Sequence, residues 1–400
     1  MRTLRLVAGS AVVLTMAVVS GCENEKSGSL FDANASAPRP NPTITGIAPT
    51  GGAQAAVDTV LITGTNFSPI AAENTVYFDA GQAEVVGATA TELRVLPPFV
   101  TGDAIKVKVG VFQAELFSNI MTYQLSAAVE SFANLGPTEA AGAIIADALG
   151  SLFASIKPEG VNARIFKISP EGQSLQYAPE TAGAIQWTSL RFGPGGYLYA
   201  ARNFRAVYRF APGGGSAAAL WVAYPVGVFA ADIDFDQNEN LWFGGNNTNI
   251  YLVRPNATTK TFPFAGNVRS VRVFGGYLYF AASTASGHQI WRASITGEEL
   301  GTPEVYFDFS AAMNDPTLIP TSITFSSDGY LYIGTTTPAS VVVVAPSKEF
   351  STPYRAYASL FGAGVLSLAS GAGNALYAST QSGRLIKIWW RKEGAPYYGQ

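Results

Sequence analysis

The chain has 400 residues, 48% of them hydrophobic and 13% charged, with a formal net charge of -3. That is apolar enough for large cores, while so small a charge supplies no general attraction for nucleic acid or anionic lipid, so nucleic-acid binding is disfavoured. A single cysteine and a single histidine rule out a disulfide scaffold and the usual His and Cys zinc sites, and they leave Ser-His-Asp or Cys-His sets with at most one candidate base.

At the N-terminus Arg2 and Arg5 precede an apolar run from Leu6 to Val19, the charged-then-hydrophobic layout of a secretory signal and too short for a membrane span. The run ends in Val19-Ser20-Gly21-Cys22, which resembles the bacterial lipobox, where small residues precede a cysteine that is lipidated and becomes the new N-terminus. The resemblance implies a lipoprotein signal peptide over 1–21, lipidation of Cys22, and a membrane partner held by several acyl chains, each buried methylene contributing about 0.8 kcal/mol. It implies a bacterial cell-envelope location, at the outer membrane. Glu23 and Glu25 resemble the export tags of surface lipoproteins in the Bacteroidetes. Residues 22–41, rich in Glu, Asn, Ser, Ala and Pro, read as a flexible tether with a reach on the order of 25 Å.

Residues 42–125 show short alternating strands punctuated by Gly, Pro and Asn: Thr59–Thr63, Thr75–Phe78, Glu92–Val95 and Ile105–Val109. This spacing predicts a small β-sandwich. Ile47, Pro49, the string Ile62-Thr63-Gly64-Thr65-Asn66-Phe67, Val76-Tyr77-Phe78, Pro97-Pro98 and Ser118-Asn119 resemble the IPT/TIG immunoglobulin-like family. Gly64 and Asn66 tolerate unusual turn angles and Phe67 supplies an apolar plug. The module reads as a spacer or as a partner-binding unit.

Over 126–400 an internal repeat governs the reading. A leucine followed by an aromatic recurs as Leu152-Phe153, Leu198-Tyr199, Leu241-Trp242, Leu278-Tyr279, Leu331-Tyr332 and Leu376-Tyr377, with successive leucines 46, 43, 37, 53 and 45 residues apart. Four strands and their turns need about that length, which is the propeller period. Each pair follows a turn such as Gly193-Pro194-Gly195-Gly196 or Asp236–Asn240, and a third strand follows it, as in Val207–Phe210 and Leu385–Ile388. Outer strands are expected at Ala219–Tyr224, Glu304–Phe309 and Tyr354–Leu360. The last repeat lacks one, and Glu130–Leu135 is expected to pair with its third strand and close the ring, leaving no open edge. The repeat resembles NHL-type six-bladed propellers and related gluconolactonase-like and strictosidine-synthase-like groups. The expected fold is all-β: an immunoglobulin-like sandwich, then a six-bladed β-propeller closed by an N-terminal outer strand.

Chemistry is sparse. His288 lies between two strands beside Gly287 and reads as a solvated loop residue. The string Asp232–Asn238 fails as an EF-hand, with Gln237 where glycine is needed and Phe243 at the bidentate glutamate position. Gluconolactonase-like propellers hold a metal in the channel with acidic and Asn ligands. Asp232 is a weak candidate ligand for such a metal, but its counterparts Ser189, Ser270, Ser322 and Ser367 are neutral, so no cofactor and no catalytic residue are assigned. Gly213–Ser216 leads into a strand rather than a helix and reads as a turn.

The polar loops at one face supply the candidate ligand-binding residues Arg202, Asn203, Asn246, Asn247, Thr336 and Gln381, with Trp187 entering from the same side. Amides, hydroxyls and an exposed aromatic suit a glycan, the ring stacking on a sugar face. The reading favours a non-enzymatic envelope lipoprotein presenting a propeller to a glycan or an envelope protein. A metal-dependent hydrolase or lactonase in the channel and a protein-assembly scaffold are the alternatives.

Overall fold

The computed structural model describes residues 38–399 apart from 203, 338, 372 and 373. Cys22, the signal segment and most of the tether lie outside the described residues.

In residues 42–125 the apolar alternation folds as expected. Val60, Ile62, Val76, Phe78, Leu93, Val95, Val107 and Val109 face inward and are fully buried, from strands Val60–Thr65, Asn74–Phe78, Glu92–Leu96 and Gly102–Val111. Strand Gly81–Ala88 joins the two halves of the sandwich: its start, Gly81 to Ala83, pairs with Asn74–Phe78, and its remainder from Glu84, interrupted by a bulge at Val85/Gly87, pairs with Glu92–Leu96. The turn chemistry splits in two. Asn66 adopts φ 63°, but Gly64 is required for a different reason, since a Cβ there would lie 2.0 Å from the Thr43 carbonyl and 2.5 Å from the Phe67 ring.

The rest is propeller-like. Four-stranded antiparallel sheets run over Glu139–Ala178, Ser189–Ala223 and Pro320–Ser351, and an eight-stranded sheet spans Asp232–Phe307, its long strand Thr259–Phe274 pairing on one side with Asn246–Val253 and on the other with Tyr277–Thr284. The innermost strands, Glu139–Ala146, Ser189–Phe192, Asp232–Phe235, Thr259–Phe274, Pro320–Phe325 and Val365–Ser370, each contact the next, and the last contacts the first. In the final sheet the outer place after Leu385–Trp389 is taken by Val129–Ser131, with Ile388 opposite Val129 and Ile386 opposite Ser131. A segment more than 250 positions upstream therefore closes the ring. The aromatics of the repeat pack between neighbouring sheets, as Tyr199 does edge-on against Phe235 with centroids 4.8 Å apart. Gly213, Gly214 and Gly215 form the expected turn at φ 82°, 76° and 80°.

One expected strand is absent. Tyr354–Leu360 is helical, with a 3-10 turn at Arg355–Tyr357 running into a helix at Ala358–Phe361, and the outer strand of that sheet is the short Phe350–Ser351. The buried side chains Tyr354, Tyr357 and Phe361 explain this: they recur at three and four residues, a helical spacing that puts all three on one face.

The sandwich is braced against the last sheet. The Tyr357 hydroxyl donates to the Ala55 carbonyl at 2.8 Å and accepts from the Ala128 amide at 2.8 Å, Gln54 donates to the Trp389 carbonyl at 2.5 Å, and Arg391 pairs with Asp58 at 2.7 Å. Phe99 packs edge-on against Tyr357 at 4.8 Å.

Candidate functional site

The innermost strands surround a channel whose side chains form layers. In the middle layer Ser189, Asp232, Ser270 and Ser322 are buried, and each takes the backbone N–H of the next strand around the ring: Ile233 to Ser189 at 3.3 Å, Val271 to Asp232 at 2.9 Å, Ile323 to Ser270 at 3.1 Å and Leu368 to Ser322 at 3.0 Å. The inner strands pair within their own sheets, so these side chains supply the hydrogen bonds between sheets. Small polar residues recur at this position because each must reach a neighbouring backbone.

Asp232 is the hub. Its Oδ1 accepts from Ser189 Oγ at 2.6 Å, Arg191 at 3.0 Å and its neighbour Ile233 N at 3.0 Å, while Oδ2 accepts from Ser270 Oγ at 2.7 Å, Val271 N at 2.9 Å and Arg272 at 3.4 Å. Below it Arg191 also faces Asp234 at 3.5 Å. Burial pushes the Asp234 carboxyl up to about 7, against the downward pull of the Arg191 guanidinium. The channel is stoppered beneath by the C-terminal segment. Tyr397 is buried there, its hydroxyl accepting from Phe325 N at 2.7 Å and lying 3.2 Å from Thr324 Oγ1, with the Arg272 guanidinium over its ring at 5.6 Å.

These residues do not fit a channel metal. Both Asp232 oxygens are saturated by two guanidiniums, two hydroxyls and backbone amides, which leaves no lone pair directed at open space. Among the described residues no group of three or more His, Cys, Asp and Glu side chains could hold a metal ion. Asp236, the other acid of the calcium-like string, spends its Oδ1 on the Asn238 and Asn240 amides and its Oδ2 on Asn240 and Trp242 Nε1.

Above the middle layer the channel opens into a cavity of about 400 Å³ lined by Thr188, Asn246, Asn267, Arg269, Thr321 and Leu366, with Ala231 and Val268. The inner strands build this mouth by bulging. Their pairing slips between Val268 and Ser270, between Pro320 and Ser322, and between Val365 and Ser367, so Arg269, Thr321 and Leu366 are the extra residues. A bulged residue escapes the strict alternation of a strand and can be aimed elsewhere, here into the channel mouth.

Of the residues expected to bind ligand, Asn246 lines this cavity. Trp187 does not present a ring to solvent: it is 1% exposed, packed edge-on against Tyr208 and Phe210 at 5.6 Å, because the chain turns it into the space between the first two sheets rather than outward. Arg202 is folded back on its own loop, bonded to the Gly183 carbonyl and to Tyr208 Oη at 3.0 Å and lying over the Phe204 and Tyr208 rings. Thr336 braces a loop, donating to the Thr317 carbonyl at 3.0 Å and accepting from Ile319 N at 3.2 Å. Gln381 is exposed outside the cavity, its backbone N–H bonded to the Gly364 carbonyl at 2.9 Å. Asn203 and the side chain of Asn247 lie outside the described residues.

Thr188, Asn267, Arg269 and Thr321 also line the cavity and were not among the expected residues. The available signal is positional: Thr188, Ala231, Arg269, Thr321 and Leu366 each stand one place before a residue of the repeating Ser/Asp layer. His288 is half-buried rather than freely solvated. Its Nδ1 lies 2.8 Å from Ser283 Oγ, which accepts from Arg269 Nε at 3.3 Å, and burial together with the Arg269 charge lowers its pKa.

A second cavity, of about 300 Å³, lies on the sandwich among Tyr77, Phe112, Leu116 and Phe117. Two acids line it, Glu73 and Glu115, and Glu73 is already paired with Arg39 at 2.6 Å.

Residues 42–125 match the family model of the IPT/TIG domain. No curated protein matches the chain. Among solved structures the chain is similar to an auxiliary nutrient binding protein from Bacteroides thetaiotaomicron, at 13% identity and a TM-score of 0.50, over 90% of this chain and 98% of that one. It is similar to another auxiliary nutrient binding protein, from Bacteroides ovatus, at 15% identity and a TM-score of 0.51, over 87% and 97%. A gluconolactonase from Xanthomonas campestris is similar at 13% identity and a TM-score of 0.50, over 65% of this chain and 88% of that one. At these identities the likeness establishes the fold, an all-β chain with an IPT/TIG domain and a propeller-like body. The two binding proteins are alike in fold over most of this chain, and the lactonase over about 65% of it.

Proposed function

We propose that this chain is a non-enzymatic binding lipoprotein of the bacterial cell envelope, anchored at the outer membrane through lipid on Cys22, which presents the mouth of a six-bladed propeller to a polar ligand of glycan type. In this reading the eight-stranded sheet is two neighbouring blades joined through Thr259–Phe274, the long strand being the outer strand of one and the inner strand of the next. The bracing of the sandwich against the last sheet supports its role as a rigid stalk.

One observation carries the choice of binding over hydrolysis. The groups lining the mouth are amides, hydroxyls and a guanidinium, while the nearest buried acid is fully engaged with two arginines. Amides and hydroxyls suit sugar hydroxyls; a hydrolase needs a carboxylate or imidazole free to take a proton. Similarity in fold to nutrient binding proteins is compatible with this, and similarity to a gluconolactonase keeps the alternative to be tested.

The test is a glycan-array screen of the full chain in detergent, with and without calcium, beside Asn246→Ala and Thr321→Val. Calcium-independent binding weakened by both substitutions is expected. Absence of binding, or binding indifferent to both, removes the proposal, and calcium-dependent lactone hydrolysis would establish the alternative. Cys22 acylation is read by mass spectrometry of the mature N-terminus.

A further inference from the structure

Resting on the reading of the channel mouth as the ligand site, we propose that the ligand carries a carboxylate, held by Arg269, and belongs to the acidic sugars.

The case begins with the backbone. Arg269 is a bulged residue of Thr259–Phe274, flanked by Val268 opposite Ala282 and Ser270 opposite Ala281, and the bulge turns its side chain into the mouth cavity instead of into a sheet interface. Nothing in the fold then neutralises it. Its Nε donates to Ser283 Oγ at 3.3 Å, and among the described residues it forms no other hydrogen bond and no ion pair. The two guanidiniums deeper in the channel are treated differently: Arg191 and Arg272 share Asp232, and each also donates to a backbone carbonyl, Leu190 at 2.5 Å and Val271 at 2.7 Å. The two buried carboxylates of the channel, Asp232 and Asp234, are thus engaged below Arg269. Among the described residues no acid lines the mouth and no partner is bonded to the two terminal nitrogens of Arg269, so the cavity holds a positive charge without a counter-charge.

A guanidinium presents paired N–H donors in the geometry of a carboxylate, and such charge-assisted pairs are about twice as strong as neutral hydrogen bonds. The rest of the lining specifies what accompanies the carboxylate. The side chains of Asn246 and Asn267, from paired positions on adjacent strands, form no hydrogen bonds among the described residues, and each offers one acceptor and two donors. Thr321 Oγ1, bonded to the Gly334 and Val365 carbonyls at 3.0 and 2.7 Å, is already committed as a donor and offers a fixed acceptor. Free amides and a placed acceptor around one guanidinium match a polyhydroxylated carboxylate, a uronic- or aldonic-acid unit, better than a bare anion or an apolar acid. A cavity of about 400 Å³ falls within the range of small-ligand sites, roughly 300–1,000 Å³.

The experiment compares uronic-acid oligosaccharides with the same oligosaccharides after reduction of each carboxyl to a primary alcohol, by calorimetric titration of the full chain in detergent. The acidic form should bind about 10- to 100-fold more tightly, as expected for one charge-assisted contact. Raising the salt should narrow that ratio. In Arg269→Gln the ratio should fall to about one, and Arg269→Lys, which keeps the charge but not the fork, should retain part of it. Melting curves of the variants report that each is folded. Equal affinity for the two forms, or a preference that survives Arg269→Gln, overturns the carboxylate assignment while leaving glycan binding at the mouth intact. Failure of both forms to bind overturns both.

Discussion

Substitution of Asp232 by alanine is the most demanding test of the channel. The side chain removes six donors from solvent at once, two hydroxyls, two backbone amides and two guanidiniums, and it is the one carboxylate shared by Arg191 and Arg272. Removing one partner of a buried ion pair costs about 3–5 kcal/mol, most of it from the charge left behind. Here two charges would be stranded. Arg191 would keep Asp234 at 3.5 Å and so lose less than Arg272, which would keep two backbone carbonyls and the face of the Tyr397 ring but no counter-charge. The expected loss is therefore about 3–5 kcal/mol. At about 2–4 °C per kcal/mol for a body of this size, the Tm should fall by roughly 6–20 °C in scanning calorimetry at pH 7.5. Asp232→Asn keeps an acceptor oxygen and should fall between the variant and the parent. In an Arg272→Met background the alanine substitution should cost measurably less, since one stranded charge is gone. A Tm change below about 2 °C for Asp232→Ala, or costs that add without coupling to Arg272→Met, would refute the account of Asp232 as the electrostatic hub.

Three further outcomes follow from particular contacts. Burial raises the Asp234 carboxyl to about 7, so between roughly pH 4 and pH 7 the folded chain holds a proton that the unfolded chain has released. The associated stability is complete below the unfolded value and is lost as pH rises through 7; Asp234→Asn should flatten that dependence in denaturant titrations, and an unchanged slope would contradict it. Tyr357→Phe removes the hydroxyl that joins Ala55 to Ala128 and leaves a buried carbonyl and amide unsatisfied, for about 1–3 kcal/mol each. Faster proteolysis at the junction near residue 127 is the expected signature. Trp187→Ala should destabilise by about 3–5 kcal/mol through the cavity it leaves, yet leave saccharide affinity unaltered, because the ring packs between sheets; a large affinity loss in a folded variant would return Trp187 to the site.

Much of the architecture was readable in advance because it is local and repeated. A hairpin's two strands and its turn are adjacent in sequence, so Leu198-Tyr199 after Gly193–Gly196, or Leu241-Trp242 after Asp236–Asn240, announces itself wherever it occurs. Even the long-range pairing of Val129–Ser131 with Ile386–Ile388 was legible, since a repeat short of one strand shows what is missing. Tyr354–Leu360 misled because its aromatic and apolar residues satisfy a strand's composition while their burial follows a helical spacing.

The candidate site was less legible, and the reason is geometric. Asn246 was expected because it falls in a polar stretch read as a loop, although it opens the strand Asn246–Val253, and Arg202 was expected for the same reason but folds back on its own loop, away from the cavity. The residues that form the mouth lie on strands, where alternation assigns each side chain to one face or the other, and alternation could not foresee that a slipped pairing would aim Arg269, Thr321 and Leu366 into the channel. Nor does sequence state that Tyr397 stoppers the channel or that Trp187 turns inward, since both depend on chain segments meeting after the ring has closed. The order of strands, the repeat and the sandwich were determined by the amino-acid sequence, through hydrogen-bonded hairpins and apolar periodicity. Which side chains share the mouth, and that Arg269 stands there without a counter-charge while Asp232 is spent one layer below, was decided by the closed ring, because only it brings residues some forty positions apart to one axis.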